Sequence, residues 1–132
     1  MLPDGLGLTV GIDVVPIERV AELATRGESL EGRVFTAGEL ERCGEGGKRD
    51  ECLAARFAAK EAVMKAFGKG LADGIAFTHA EVVNAEGGRP EVRLHGPLSD
   101  LAQERGLESI ELSLSHAGGI AVAVAVAVWR AG

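Results

Sequence analysis

The chain has 132 residues, of which 46% are hydrophobic and 26% charged, and a net charge of −6. That length suits a single domain, residues 1–132, and the composition excludes a disordered chain. The negative balance excludes the basic field of a nucleic-acid binder, so an acidic partner must be met on a local basic patch.

The first ten residues lack a basic region followed by a long apolar run, so no secretory signal is expected. Residues 8–15 are apolar and β-branched except for Asp13, which predicts a buried strand. Pro16 suits the first turn of a helix that runs to about Thr25. Thr36 and Glu39 have the spacing of a capping box for a short helix over 37–42. Residues 44–49 (GEGGKR) predict a flexible loop. Cys43 and Cys52 on either side fit neither a metal-ligand spacing nor a disulfide framework. They are expected as free thiols in a reducing compartment, with Cys52 a small apolar filler.

Asp50 is expected to cap, and Gly68 to end, the main helix over 51–67. Residues 77–85 predict a strand, 86–88 a turn, and 91–94 the second arm of a hairpin. Pro97 opens another helix and Gly106 ends it. Residues 109–115 alternate as a half-buried strand, 117–119 turn the chain, and 120–128 form the last strand. That strand alternates Ala and Val, so both faces are apolar and each calls for a cover, by helix or by a neighbouring subunit. The longest apolar run, 120–129, is about half a membrane span. No membrane partner is therefore expected, and the location is read as cytoplasmic. The order of elements is that of an α+β domain, a long central helix on a mainly antiparallel sheet.

The main helix places Leu53, Phe57, Met64 and Phe67 on one stripe, flanked by six alanines. It also carries Arg56, Lys60, Glu61 and Lys65. One reading is a core helix with a Glu61–Lys65 surface pair and a snorkelling Lys60. The other is a half-buried charged cluster facing an anion and a metal. Asp13, which interrupts an apolar strand, can cap the strand end or ligate. With Glu61 it makes the protein half of a magnesium site, since magnesium takes one or two carboxylates plus waters and phosphate oxygens. Arg56, Lys60 and Lys65 would supply cations for phosphates. The 19 glycines form neither a phosphate-binding P-loop nor a dinucleotide fingerprint.

Three segments, in order, are similar to the holo-acyl-carrier-protein synthase family of phosphopantetheinyl transferases. They are Gly11-Ile12-Asp13-Val14, then Arg56-Phe57-Ala58-Ala59-Lys60-Glu61-Ala62 on to Lys65-Ala66-Phe67-Gly68, then Leu114-Ser115-His116. The resemblance implies transfer of the phosphopantetheinyl arm of coenzyme A to a serine of an acyl carrier protein, with release of adenosine 3′,5′-bisphosphate. It implies Mg2+ on Asp13 and Glu61, and coenzyme A phosphates on Arg56, Lys65 and His116. Glu61 and Lys65 are the implied catalytic pair, Glu61 taking the serine proton directly or through a water and Lys65 steadying the phosphate, with Lys60 a second candidate cation. It also implies a homotrimer with active sites between subunits. Carrier docking would use the first helix, where Arg19 and Arg26 fall nearly on one face; Arg33, Arg42, Lys48 and Arg49 follow. From the residues alone, a carrier-binding scaffold or a magnesium-dependent nucleotide hydrolase stands as the alternative.

Overall fold

The computed structural model describes residues 3–130; Met1, Leu2 and the last two residues of the expected 1–132 domain lie outside the described residues. Strand β1 (Leu6–Pro16) leads into helices α1 (Ile17–Thr25), α2 (Glu28–Val34), α3 (Ala37–Cys43) and α4 (Arg49–Phe67). Two single-turn 3-10 segments lead to the hairpin β2 (Ala80–Asn84) and β3 (Pro90–Leu94). Helix α5 (Gly96–Arg105) and strands β4 (Leu107–Ala117) and β5 (Ile120–Arg130) complete the chain. The fold is α+β, with an antiparallel sheet in the order β1-β5-β4 and the separate two-stranded hairpin.

Helix α4 lies across the inner face of the large sheet, and small residues on both sides let the layers approach closely. Ala121, Ala123, Ala125 and Ala127 of β5 are fully buried, as are Ala54, Ala58, Ala59 and Ala62 of α4. Bulk is supplied at the margins by Phe35, Leu53, Phe67 and Leu98. The alternation of β5 thus has a reason: alanines meet the helix and valines point the other way.

The register fixes which side chains meet α4. Asp13 pairs with Ala123 and His116 with Ala121, so both share the helix-facing side with the alanines. Gly11 pairs with Ala125 on that same face. A Cβ on Gly11 would stand 1.8 Å from the carbonyl oxygen of Ala62, so only glycine lets β1 pass the helix here.

Several expectations need correction. Strand β1 is not buried: Leu8, Val10, Ile12 and Val14 are each more than half exposed, because β1 is an edge strand and only its other face meets α4. Helix α4 begins at Arg49 with Lys48 at its N-cap, so Asp50 lies in the first turn and caps nothing. Gly68 ends it in the left-handed conformation, as expected. Residues 77–79 form a 3-10 turn rather than strand. Helix α2, built on a short polar stretch without an apolar period, was not expected. Cys43 and Cys52 are joined in a disulfide between the end of α3 and the start of α4. The GEGGK loop folds back tightly enough to bring them together, which sequence spacing does not reveal.

Candidate functional site

The close pass at Gly11 sets Asp13 above α4. Lys65 Nζ donates to Asp13 Oδ1 at 3.1 Å and to the Ile12 carbonyl at 2.9 Å. Glu61, one turn before Lys65, has its carboxyl pushed up by burial and then by the charge of Asp13, with Lys65 opposing both. Asp13, Glu61 and Lys65 therefore form one electrostatic cluster. The expected Glu61–Lys65 surface pair does not form; Lys65 turns to Asp13 instead.

Among the described residues, no group of three or more His, Cys, Asp or Glu side chains gathers to enclose a metal ion. A carboxylate whose proton affinity is raised by burial and by the charge of a neighbouring carboxylate is nonetheless suited to magnesium, which keeps waters and substrate oxygens for its other positions. The donor set fits the ion.

Nearer the start of α4, Arg56 and His116 line one cleft of about 280 Å3 together with Lys48, Glu51, Cys52 and Ala55. The ring of His116 stands 3.8 Å from the Glu51 carboxylate. Arg56 as a whole residue is 6% exposed. Its Nη2 donates to Asn84 Oδ1 at 2.6 Å and its Nη1 to Cys52 Sγ at 3.3 Å, while the buried Nε has no partner. Burial lowers the proton affinity of this guanidinium, with Glu39 opposing and Arg42 adding to the effect. A buried cation with no carboxylate in direct contact is costly, and an anion in the cleft offsets that cost. At the far end of α4, Lys65 also reaches a mainly apolar cleft of about 530 Å3 walled by Phe67, Arg105 and Trp129.

Lys60 stands apart from all of this. It does not snorkel. It is fully buried, and its Nζ meets Glu39 Oε1 at 2.6 Å and the carbonyls of Phe77 and Ala80 at 3.1 and 2.9 Å. All three donors are used, so no proton is left for a phosphate. Glu39 also accepts the backbone N–H groups of Thr36 and Val82. The capping-box spacing revealed Glu39 as a cap, but nothing in the sequence marks it as the partner of Lys60. Asn84, which holds Arg56, carries no sequence signal at all.

Arg19 on α1 and Arg26 at its C-cap are exposed and enter no ion pair among the described residues. Arg33, Arg42 and Lys48 are likewise exposed, whereas Arg49 is tied to Glu31 at 2.9 Å.

A family model described as the 4′-phosphopantetheinyl transferase superfamily matches residues 9–125. The chain is 45% identical, over 117 residues, to a holo-[acyl-carrier-protein] synthase of Geotalea daltonii, covering 88% of this chain and 94% of that one. A complex of that kind of synthase with coenzyme A from Chronobacterium ammoniagenes superposes with a TM-score of 0.78 at 32% identity, covering 94% of this chain and 98% of the other. The holo-[acyl-carrier-protein] synthase of Neisseria meningitidis gives a TM-score of 0.80 at 33% identity, with 90% and 96% covered.

Proposed function

Because the chain belongs to the 4′-phosphopantetheinyl transferase superfamily, we propose that Asp13, Glu61 and Lys65 form its reaction centre, with magnesium held by the two carboxylates. The reaction is transfer of the phosphopantetheinyl group from coenzyme A to a serine of apo acyl carrier protein. The observation that carries the assignment is the cluster itself, in which Glu61 holds protons more tightly than an ordinary glutamate because of burial and Asp13.

The serine oxygen attacks the β-phosphorus of coenzyme A, and the bond to the bridging oxygen breaks, releasing adenosine 3′,5′-bisphosphate. When bound, magnesium neutralises charge on the pyrophosphate oxygens. Glu61 takes the serine proton through a water. The side chain of Lys65 is 53% exposed. It can swing from Asp13 to the phosphoryl oxygens as negative charge moves onto them. Arg56 and His116 hold the phosphates of coenzyme A in the cleft nearer the start of α4. Arg19 on α1 and Arg26 at its C-cap receive the acidic carrier protein.

The reading extends to assembly and place. Leu8, Val10, Ile12 and Val14, with Ile120, form an exposed apolar face on the large sheet. Such a face calls for a cover, and a homotrimer with active sites between subunits supplies it. Residues 1–132 act as one domain, and the protein works in the cytoplasm; among the described residues no helix is long and apolar enough to cross a membrane.

The test is the intact mass of an apo carrier protein after incubation with this protein, coenzyme A and magnesium. A gain of one phosphopantetheinyl group is expected, lost in Glu61→Ala and without divalent metal. Unchanged transfer in either control would remove Glu61 or the metal from the centre.

A further inference from the structure

The disulfide between Cys43 and Cys52 ties the end of α3 to the first turns of α4 across a sequence separation of 9. The loop it spans ends on Lys48, and Lys48, Cys52 and Arg56 line the same cleft. Cys52 Sγ also accepts from Arg56 Nη1 at 3.3 Å. One bond therefore touches both the loop that carries one cleft cation and the guanidinium that supplies another. Both cysteines are half-buried, so a small reductant can reach them.

We propose that this disulfide is a redox switch which sets the affinity of the Arg56–His116 cleft for a nucleotide carrying terminal phosphates, the oxidised form binding more tightly. The inference rests on the reading of that cleft as the seat of the coenzyme A phosphates. A dithiol is the co-reactant. Its thiolate attacks Cys43 Sγ, and Cys52 leaves as a thiolate beside the Arg56 guanidinium, which stabilises it. The second thiol of the reductant then attacks the mixed disulfide and releases Cys43. Two electrons pass from the dithiol to the two cysteines; Cys43 takes one proton, the other goes to solvent while Cys52 stays a thiolate, and the reductant becomes a cyclic disulfide.

Reduction acts on the cleft twice, and in the same direction. The loop over residues 44–48 loses its tether, so ordering Lys48 over a ligand costs more. A thiolate at Cys52 also competes with phosphate for Arg56, whereas a neutral disulfide leaves that charge to the ligand.

The experiment is calorimetric titration of the full chain with adenosine 3′,5′-bisphosphate, before and after treatment with dithiothreitol, alongside Cys43→Ser and the Cys43→Ser/Cys52→Ser double variant. Tryptic cleavage after Lys48 is followed in parallel. Reduction should weaken binding at least about fivefold, the low end of ordinary coupling between two events on one protein, and speed cleavage. Cys43→Ser, which keeps a thiol beside Arg56, should match the reduced protein, and the double variant should bind between the two. Equal affinities for oxidised and reduced protein would overturn the switch while leaving the cleft assignment standing. Absence of binding in both forms, with phosphopantetheinyl transfer intact, would overturn the cleft assignment and the switch with it.

Discussion

Glu39 and Lys60 form an ion pair closed to water, 2.6 Å from oxygen to nitrogen with neither side chain exposed. The pair joins α3 to α4, and through the carbonyls of Phe77 and Ala80 and the amide of Val82 it also anchors the hairpin. Removing one partner strands a charge in the core. Lys60→Met or Glu39→Gln is expected to lower stability by roughly 3–5 kcal/mol. Urea unfolding followed by circular dichroism measures it, and a loss under about 1 kcal/mol would mean that water reaches the pair. At temperatures where Lys60→Met remains folded, transfer should continue, because Lys60 has no donor left for substrate.

Gly11→Ala tests the closest contact between strand and helix. The added carbon would meet the Ala62 carbonyl oxygen at 1.8 Å, and backbone cannot step aside as a side chain can. A loss of about 3 kcal/mol or more is expected, at the upper end of overpacking costs. Any folded remainder should transfer poorly, since the strand that carries Asp13 is pushed off the helix. Thermal melting and transfer rate are to be measured on the same preparation.

Glu61 gives a dependence on pH with a definite sign. Its proton affinity is raised in the folded state. Its contribution to stability is therefore present below the ordinary glutamate pKa of 4.5 and is lost as pH rises through the higher folded value. Without metal at neutral pH, Glu61→Gln should thus melt higher than the parent, while transfer falls by about 100-fold or more. Metal binding should weaken as pH falls through that raised value, because the ion must displace the proton. A lower melting temperature for Glu61→Gln at neutral pH would contradict the repulsion from Asp13.

The apolar face of β1 predicts how subunits meet. Ile12→Asp places a charge at the middle of that face, at a residue 56% exposed in the single chain. Sedimentation should show a trimer for the parent and a monomer for the variant. Loss of transfer in a folded monomer would follow from sites shared between subunits, whereas full activity would place each site within one chain.

Arg19→Ala and Arg26→Ala should raise KM for the carrier protein several-fold each, leaving kcat and the KM for coenzyme A unchanged. The effect should shrink as salt is added, because exposed charges are screened over about 8–10 Å. Initial rates at two salt concentrations check both statements.

How much of this was legible in the sequence depended on distance along the chain. Local rules located α4, the Thr36–Glu39 cap, the stop at Gly68 and the hairpin, because each is set by residues within a turn of one another. The alternation of β5 announced two apolar faces and left open what covers them. Asp13 drew notice as a carboxylate in an apolar strand, yet its contact with Lys65 depends on strand register and on the missing side chain of Gly11. Lys60 was misjudged for the same reason. A lysine on an apolar stripe looks like a snorkelling side chain until Glu39, on another helix, is seen to close over it. The disulfide depends on how a glycine-rich loop folds back, which composition does not specify.

The sheet also constrains when the protein can come into being. Thr9 on β1 and Trp129 on β5 are joined by a hydrogen bond across 120 positions. During synthesis, β1 emerges long before β5, its neighbour in the sheet among the described residues. Until β5 follows, it remains an unpaired apolar edge, the kind of segment that invites association with other chains. Ribosome-bound chains stopped before Ile120 should therefore leave β1 open to protease, and protection should appear only once β5 has cleared the exit tunnel. The carboxylate of Asp13, proposed to hold the metal, is thus made before the strand that positions it, so that a copy terminated ahead of β5 carries Asp13, Glu61 and Lys65 without assembling them.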